Sequence, residues 1–179
     1  MAIETVEIEQ GPFTLRPPTA TDIPWIFDAC QDPLIQRYTT VPSPYRADDA
    51  VGWVRQAATL REEGVELHLL VALTESGELL GAASIRPTPD RARAEIGYWV
   101  ERYARGRGAA SGAVLGLEAW ASASLGATET FLRIAEENDA SRRVALRCGY
   151  RLEGPDPEPF RGLPVLRFSK RLDARSAGE

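Results

Sequence analysis

Apolar residues change their spacing several times along the chain, and each change marks an element. Phe13-Thr-Leu-Arg alternates briefly before Pro17 and Pro18, which predicts a short strand. Ile23, Ile26, Phe27 and Cys30 then recur at helical spacing behind the capping residues Thr19 to Asp22, and Asp32-Pro33 closes that helix. Val51, Val54, Ala58 and Arg61 predict one face of a second helix that starts at Asp48 or Asp49 and stops at Gly64. The period then shortens. Leu67 to Leu73 is an almost unbroken apolar strand, Glu75-Ser-Gly77-Glu78 turns, Leu79 to Ile85 returns, and Ala92 to Val100 follows a turn at Pro87 to Asp90. Helical spacing resumes from Ala109 to Leu125, with Ala113, Leu117, Trp120 and Ala121 toward the core and Gly126 closing the helix. Thr128 to Ala135 reads as a strand, and Asn138 or Asp139 caps a last helix carrying Val144, Ala145 and Cys148. Tyr150 to Glu153 and Val165 to Leu172 read as a final antiparallel pair.

Strands and helices do not alternate regularly here. The pattern predicts an α+β domain with a mixed, mostly antiparallel central sheet of about seven strands and about four flanking helices. Residues 1–12 read as an N-terminal arm or edge segment, 13–172 as a single domain, and 173–179 as a small polar tail expected to fray.

The stretch Glu95 to Ser111 joins the strand ending at Val100 to the helix beginning near Ala109 through a turn of alternating arginine and glycine. Such a loop points several backbone N–H groups at one spot, where the helix dipole also favours negative charge. Arg105 and Arg107 add positive side chains. The reading is an anion site for a phosphate or pyrophosphate. A dinucleotide fingerprint fits poorly, because Ser111 stands where a third glycine or alanine belongs. A Walker loop fails, because Lys170 is the sole lysine. A plain glycine-rich turn with solvated arginines is the remaining alternative.

Arg105-Gly106-Arg107-Gly108-Ala109-Ala110 resembles Arg/Gln-x-x-Gly-x-Gly/Ala, the pyrophosphate loop of the GNAT acetyltransferases. The preceding Ile-Gly-Tyr-Trp-Val is similar to the strand that enters that loop in the ribosomal-protein N-terminal acetyltransferase branch. A second block, Asn138-Asp-Ala-Ser141, then Val144, then Cys148-Gly149-Tyr150, resembles that family's Asn-x-x-Ser followed by Gly-Phe/Tyr. The resemblance covers about Phe13 to Leu172. It implies a GNAT-like fold and acetyl transfer from acetyl-CoA to a primary amine, on a protein N-terminus or a small molecule. It also implies direct attack in a ternary complex and, as in many relatives, a homodimer. A domain that binds acyl-CoA without turnover is the alternative.

Within that resemblance, residues 105–110 would hold the pyrophosphate of coenzyme A. The strand around Tyr98 to Val100 would splay from its neighbour near Thr130 to Ala135 and pair with the pantetheine arm. An N–H near Val100 would polarise the thioester carbonyl. Glu95 is the first candidate for the base that deprotonates the amine, against a salt-bridged or solvated Glu95; Glu136 and Glu137 are substitutes that read more simply as helix-start charge. Many members protonate the leaving thiolate with a tyrosine in the last helix, but that position here is Ala145. Ser141 takes the role in this reading, or is a helix-start hydroxyl, and Asn138 bonds the pantetheine amide while capping the helix. Arg142 and Arg143 reach cofactor phosphate or remain solvated. Tyr38 and Tyr98 are acceptor-wall candidates, and Trp99 either joins the core or faces the acceptor. His68, the sole histidine, reads as a packed or edge residue.

Composition narrows the partners. A net charge of −5 argues against a general nucleic-acid surface. No apolar run approaches the roughly 18 residues of a membrane span, and no secretory signal opens the chain, so a cytoplasmic protein is expected. Cys30 and Cys148 look like buried helix positions, and neither belongs to a metal-ligand cluster.

Overall fold

The apolar runs pair into one sheet in a computed structural model that describes residues 2–172. Its strands are β1 (Ile8–Gln10), β2 (Phe13–Arg16), β3 (Leu67–Leu73), β4 (Leu79–Pro87), β5 (Arg93–Val100), β6 (Glu129–Ala135), β7 (Arg151–Pro155) and β8 (Val165–Arg171). They lie in the order β1-β2-β3-β4-β5-β6-β8-β7. Every neighbouring pair is antiparallel except β5 and β6. Five helices accompany them: α1 (Ile23–Ala29), α2 (Pro33–Tyr38), α3 (Ala47–Glu63), α4 (Ala109–Trp120) and α5 (Asp139–Arg147).

This is the expected mixed sheet, with one more strand and one more helix than the sequence suggested. The added strand is the short edge strand β1. The added helix is α2, because Asp32 does more than close α1: its carboxylate accepts from Leu34 N–H at 2.7 Å and caps a new helix with Pro33 at its first position. The predicted tail, 173–179, lies outside the described residues.

Two apolar layers cover the sheet. Leu67, Leu69 and Val71 of β3 pack with Val114 and Leu117 of α4, while Leu70 packs with Ile26 of α1 and Ala50 of α3. A strand covered on both faces has no use for alternation, which accounts for the unbroken run in β3. The buried side of α3 is Ala50 and Ala57, with Trp53 and Val54 packed beside them. The predicted face is therefore rotated, and Ala58 is exposed. Trp53 decides the rotation, since its large ring goes to the sheet.

α4 approaches the sheet closely because of a glycine. A Cβ on Gly112 would stand 2.3 Å from the Phe13 ring of β2, so nothing larger fits without moving that ring. The regular helix ends at Trp120 and continues as a π-helical turn, Ala121–Leu125, before Gly126.

Candidate active site

The parallel pairing of β5 and β6 is brief. Arg93 pairs with Glu129, Ala94 with Thr130 and Glu95 with Phe131, and there it stops. Beyond that point β5 stays with β4 as far as Val100, and β6 stays with β8 as far as Ala135. The two strands therefore diverge and leave a wedge in the sheet. Glu101 N–H donates to the Leu80 carbonyl of β4 at 2.8 Å. Alternation along the strand then turns the N–H groups of Tyr98 and Val100 away from β4, toward the wedge. A cavity of about 1220 Å³ occupies the wedge and reaches both faces of the sheet.

On the α4 face the cavity meets residues 105–111. Gly106 and Gly108 have φ of +79° and +85°, which only glycine adopts freely, and Gly108 is the N-cap of α4. A Cβ on Gly108 would meet only the Phe13 ring, at 3.8 Å, so backbone conformation rather than space requires glycine there. Among the described residues no protein group accepts a hydrogen bond from the N–H groups of Gly106 to Ala110. Several amide donors thus converge at a helix N-terminus, an arrangement suited to a phosphate or diphosphate.

The two loop arginines differ. Arg105 lines the cavity and donates to Asp32 at 2.8 Å. Arg107 is forked onto Glu78, at 2.6 and 3.0 Å, and its side chain does not line the cavity.

The far wall of this half is the start of α5. Asn138 uses its side-chain carbonyl to cap the helix, accepting from Ser141 N–H at 3.2 Å, which leaves its amide N–H groups free of that bond. Ser141 lines the cavity. Tyr98 crosses from β5 and donates its hydroxyl to the Ser141 carbonyl at 3.4 Å, and burial pushes its phenol up to about 12. Tyr98 therefore belongs to the α4 side rather than to the opposite wall. Ala145, fully buried, packs in the main core.

The opposite face carries different chemistry. Trp99 stacks on Trp25 of α1 with ring centroids 5.7 Å apart, and Tyr38 lines the cavity from the end of α2. Glu95 is half-buried and lines the cavity, and its carboxylate makes no hydrogen bond or ion pair among the described residues. Burial raises its carboxyl above the ordinary range, against the pull of Arg86 and Arg133. His68 is edge-on to Trp53 at 5.4 Å, and its Nε2 lies 3.6 Å from a Glu66 oxygen. Burial holds the imidazole pKa down, although Glu66 pulls the other way. Glu137 is paired with Arg37, and neither it nor Glu136 lines the cavity.

The model of the family described as Acetyltransferase (GNAT) domain matches residues 13–151. The chain belongs to the GNAT acetyltransferase family. With the family come its activity, acetyl transfer, and its co-substrate, acetyl-CoA. Among solved structures the chain is similar to a ribosomal-protein alpha-N-acetyltransferase in complex with coenzyme A, with TM-score 0.83 and 21% identity over 94% of this chain and 99% of that one. It is also similar to a microcin self-immunity acetyltransferase in complex with acetyl-CoA and AMP, with TM-score 0.79 and 20% identity over 90% and 93%. A third is spermidine N-acetyltransferase from Vibrio cholerae in complex with coenzyme A and spermine, with TM-score 0.75 and 20% identity over 89% and 95%. At these identities the likeness is one of fold. No curated protein sequence matches the chain significantly.

In this GNAT chain most of the residues singled out from sequence collect around one cavity; Arg107, Glu136, Glu137 and Arg142 do not line it, and Arg142 bonds Asp139 and the Glu136 carbonyl instead. Sequence reasoning passed over the group formed by Glu66, His68 and Arg86, and the reach of Tyr98 to Ser141. No local pattern marks them, because each pair is made by strand register or by a side chain crossing the wedge. Among the described residues no helix is long and apolar enough to cross a membrane, and no cluster of three or more His, Cys, Asp or Glu could hold a metal ion.

Proposed function

We propose that this GNAT protein is an N-acetyltransferase that acetylates a primary amine, on a protein N-terminus or a small molecule, by direct attack within a ternary complex. The observation that carries the reading is the continuous cavity through the wedge, with free loop amides at one end and an unpaired Glu95 at the other. Acetyl-CoA supplies the activated acetyl group as a thioester. The N–H groups of residues 106–110 grip its diphosphate, with Arg105 adding charge once released from Asp32. The exposed edge at Tyr98 and Val100 offers main-chain partners to the pantetheine arm, and Asn138 keeps its amide N–H groups for the same arm.

Val100 N–H polarises the thioester carbonyl, an effect worth about 2.7–4 kcal/mol for a well-placed donor. The amine arrives as ammonium, with pKa ~7.7–8.0 for an α-amine or ~10.4 for lysine. Glu95, directly or through water, takes the proton, and its raised carboxyl pKa makes it a better base than a solvated glutamate. The new N–C bond forms as the C–S bond breaks, and the second proton shed by the nitrogen passes to the departing thiolate, which the Ser141 hydroxyl hydrogen-bonds. Tyr98 fixes the backbone under Ser141. Tyr38 and Trp99 wall the acceptor. Two buried free cysteines, Cys30 and Cys148, accord with a reducing cytoplasmic setting.

Release of free thiol from acetyl-CoA, measured with peptides bearing free N-termini and with small amines, tests this directly. At least one acceptor class should raise the rate well above hydrolysis, and Glu95→Gln should lower kcat and change its pH profile while leaving coenzyme A affinity intact. A silent panel would favour a binding module; a Glu95→Gln profile identical to wild type would remove Glu95 from the mechanism.

A further inference from the structure

Strand register sets Arg86 of β4 directly opposite Glu95 of β5. Opposite charges facing one another across antiparallel strands ordinarily attract. Here they do not pair. Arg86 turns the other way, and its Nε and Nη2 reach the same Glu66 oxygen at 3.2 and 2.7 Å. Glu66 stands just before β3, on the far side of β4, with its side chain 8% exposed against 55% for Arg86. The acid is therefore the fixed partner and the guanidinium the movable one. Glu66, Arg86 and Glu95 all line the same cavity.

We propose that Glu66 is a positioning residue that holds the Arg86 guanidinium off Glu95, leaving the Glu95 carboxylate unpaired and open to a proton from the incoming ammonium. This rests on the reading of Glu95 as the base. A guanidinium paired with a carboxylate lowers its pKa by about 1–3 units, which would convert a proton acceptor into a permanent ion.

The other charged groups around Glu95 are already committed or face the cavity from further off. Arg133 of β6 and Arg167 of β8 both bond Asp156 at the end of β7. Arg93, on Glu95's own strand, pairs with Glu129. His68 of β3 lies beside Glu66 rather than Glu95. Asp48 and Asp49, at the start of α3, line the cavity on the same face. Among these cations it is Arg86 whose register partner is Glu95.

The experiment follows the Glu95 carboxyl by carbon-13 NMR titration, assigned with Glu95→Gln, in wild type, Glu66→Gln, Arg86→Gln and the double variant. The pH dependence of kcat is measured in parallel on the most active amine. In Glu66→Gln the Glu95 midpoint should fall by about 1 unit or more, the acid limb of kcat should move down with it, and kcat should drop by about tenfold or more. The double variant, which leaves no guanidinium to pair, should return both midpoints to wild-type values or above. A Glu95 midpoint unmoved by Glu66→Gln, or not restored in the double variant, overturns the positioning role whatever the rate does. If Glu66→Gln does not fold, Arg86→Gln decides alone: a rise of less than about 1 unit supports the proposal, and a larger rise means that Arg86 already pairs with Glu95. Should the titrations behave as expected while Glu95→Gln keeps wild-type kinetics, the electrostatic arrangement stands and the base assignment falls.

Discussion

On the α4 face the groups that define the cavity are mostly main chain: amides of residues 106–110, the N–H groups of Tyr98 and Val100, and the capped start of α5. On the opposite face they are side chains, drawn from α2, α3 and the strands, and several of them are ionised. The two faces answer to different demands. A diphosphate and an amide-bearing arm are recognised by N–H groups that any residue carries, so what matters is where the backbone goes. An amine must be bound, oriented and deprotonated, which takes particular side chains at particular pKa values. Changes on the first face should act through backbone conformation, and changes on the second through charge.

The largest expected effect is on the charged face. Arg133 and Arg167 both grip Asp156, whose side chain is 1% exposed. Asp156→Asn removes one partner of a buried ionic group and should destabilise the protein by about 3–5 kcal/mol in thermal or urea unfolding. The pH dependence has a definite sign. Burial pushes the Asp156 carboxyl up, but Glu158 N–H, Arg167 and Arg133 outweigh it and hold it below the ordinary range. The stabilisation is therefore complete at neutral pH and is lost as pH falls below about 3.9 and through the folded-state value, where the wild-type and variant curves should converge.

Next comes the main-chain face. Gly108→Val places a β-branched residue at φ +85°, a strain of roughly 1–3 kcal/mol. Relief of that strain would turn the loop amides, so coenzyme A affinity should fall by about tenfold or more in calorimetry, while the Michaelis constant for the amine stays near wild type. An unchanged dissociation constant would show that the loop does not bind the cofactor.

The smallest effect is on stability at Glu95. Burial raises its folded-state pKa, so the ionised carboxylate is destabilising at neutral pH and neutral to stability once both states are protonated. Glu95→Gln should therefore unfold at a slightly higher temperature at pH 7, with the advantage shrinking as pH falls through the raised folded-state value and gone below about 4.3. A lower melting temperature at pH 7 would mean that Glu95 is paired in solution.

Much of the main-chain face was legible because its determinants are local. Two glycines at positive φ, an arginine-rich turn and an Asn-x-x-Ser cap announce themselves within a few residues. The α3 face was misread because Val51 and Ala58 fit a helical period as well as Trp53 and Ala57 do; ring size, rather than period, chose the buried side. α2 was missed because a six-residue helix offers too few turns for a period to register, and its cap, Asp32, reads in the sequence as a stop for α1, which in the structure ends at Ala29 with Cys30 as its cap.

By itself the sequence determined the order of the longer strands and helices, the glycine-capped start of α4 and the family to which these belong. Each of these depends on neighbours along the chain. Only the tertiary structure decided that β5 and β6 part after Glu95 and Phe131, that Tyr98 crosses to Ser141, and that Arg86 turns to Glu66 instead of Glu95. Those facts depend on strand register and on how elements pack across the sheet, which no short stretch of sequence fixes, and a slip of one residue in a strand would send its side chains to the other face.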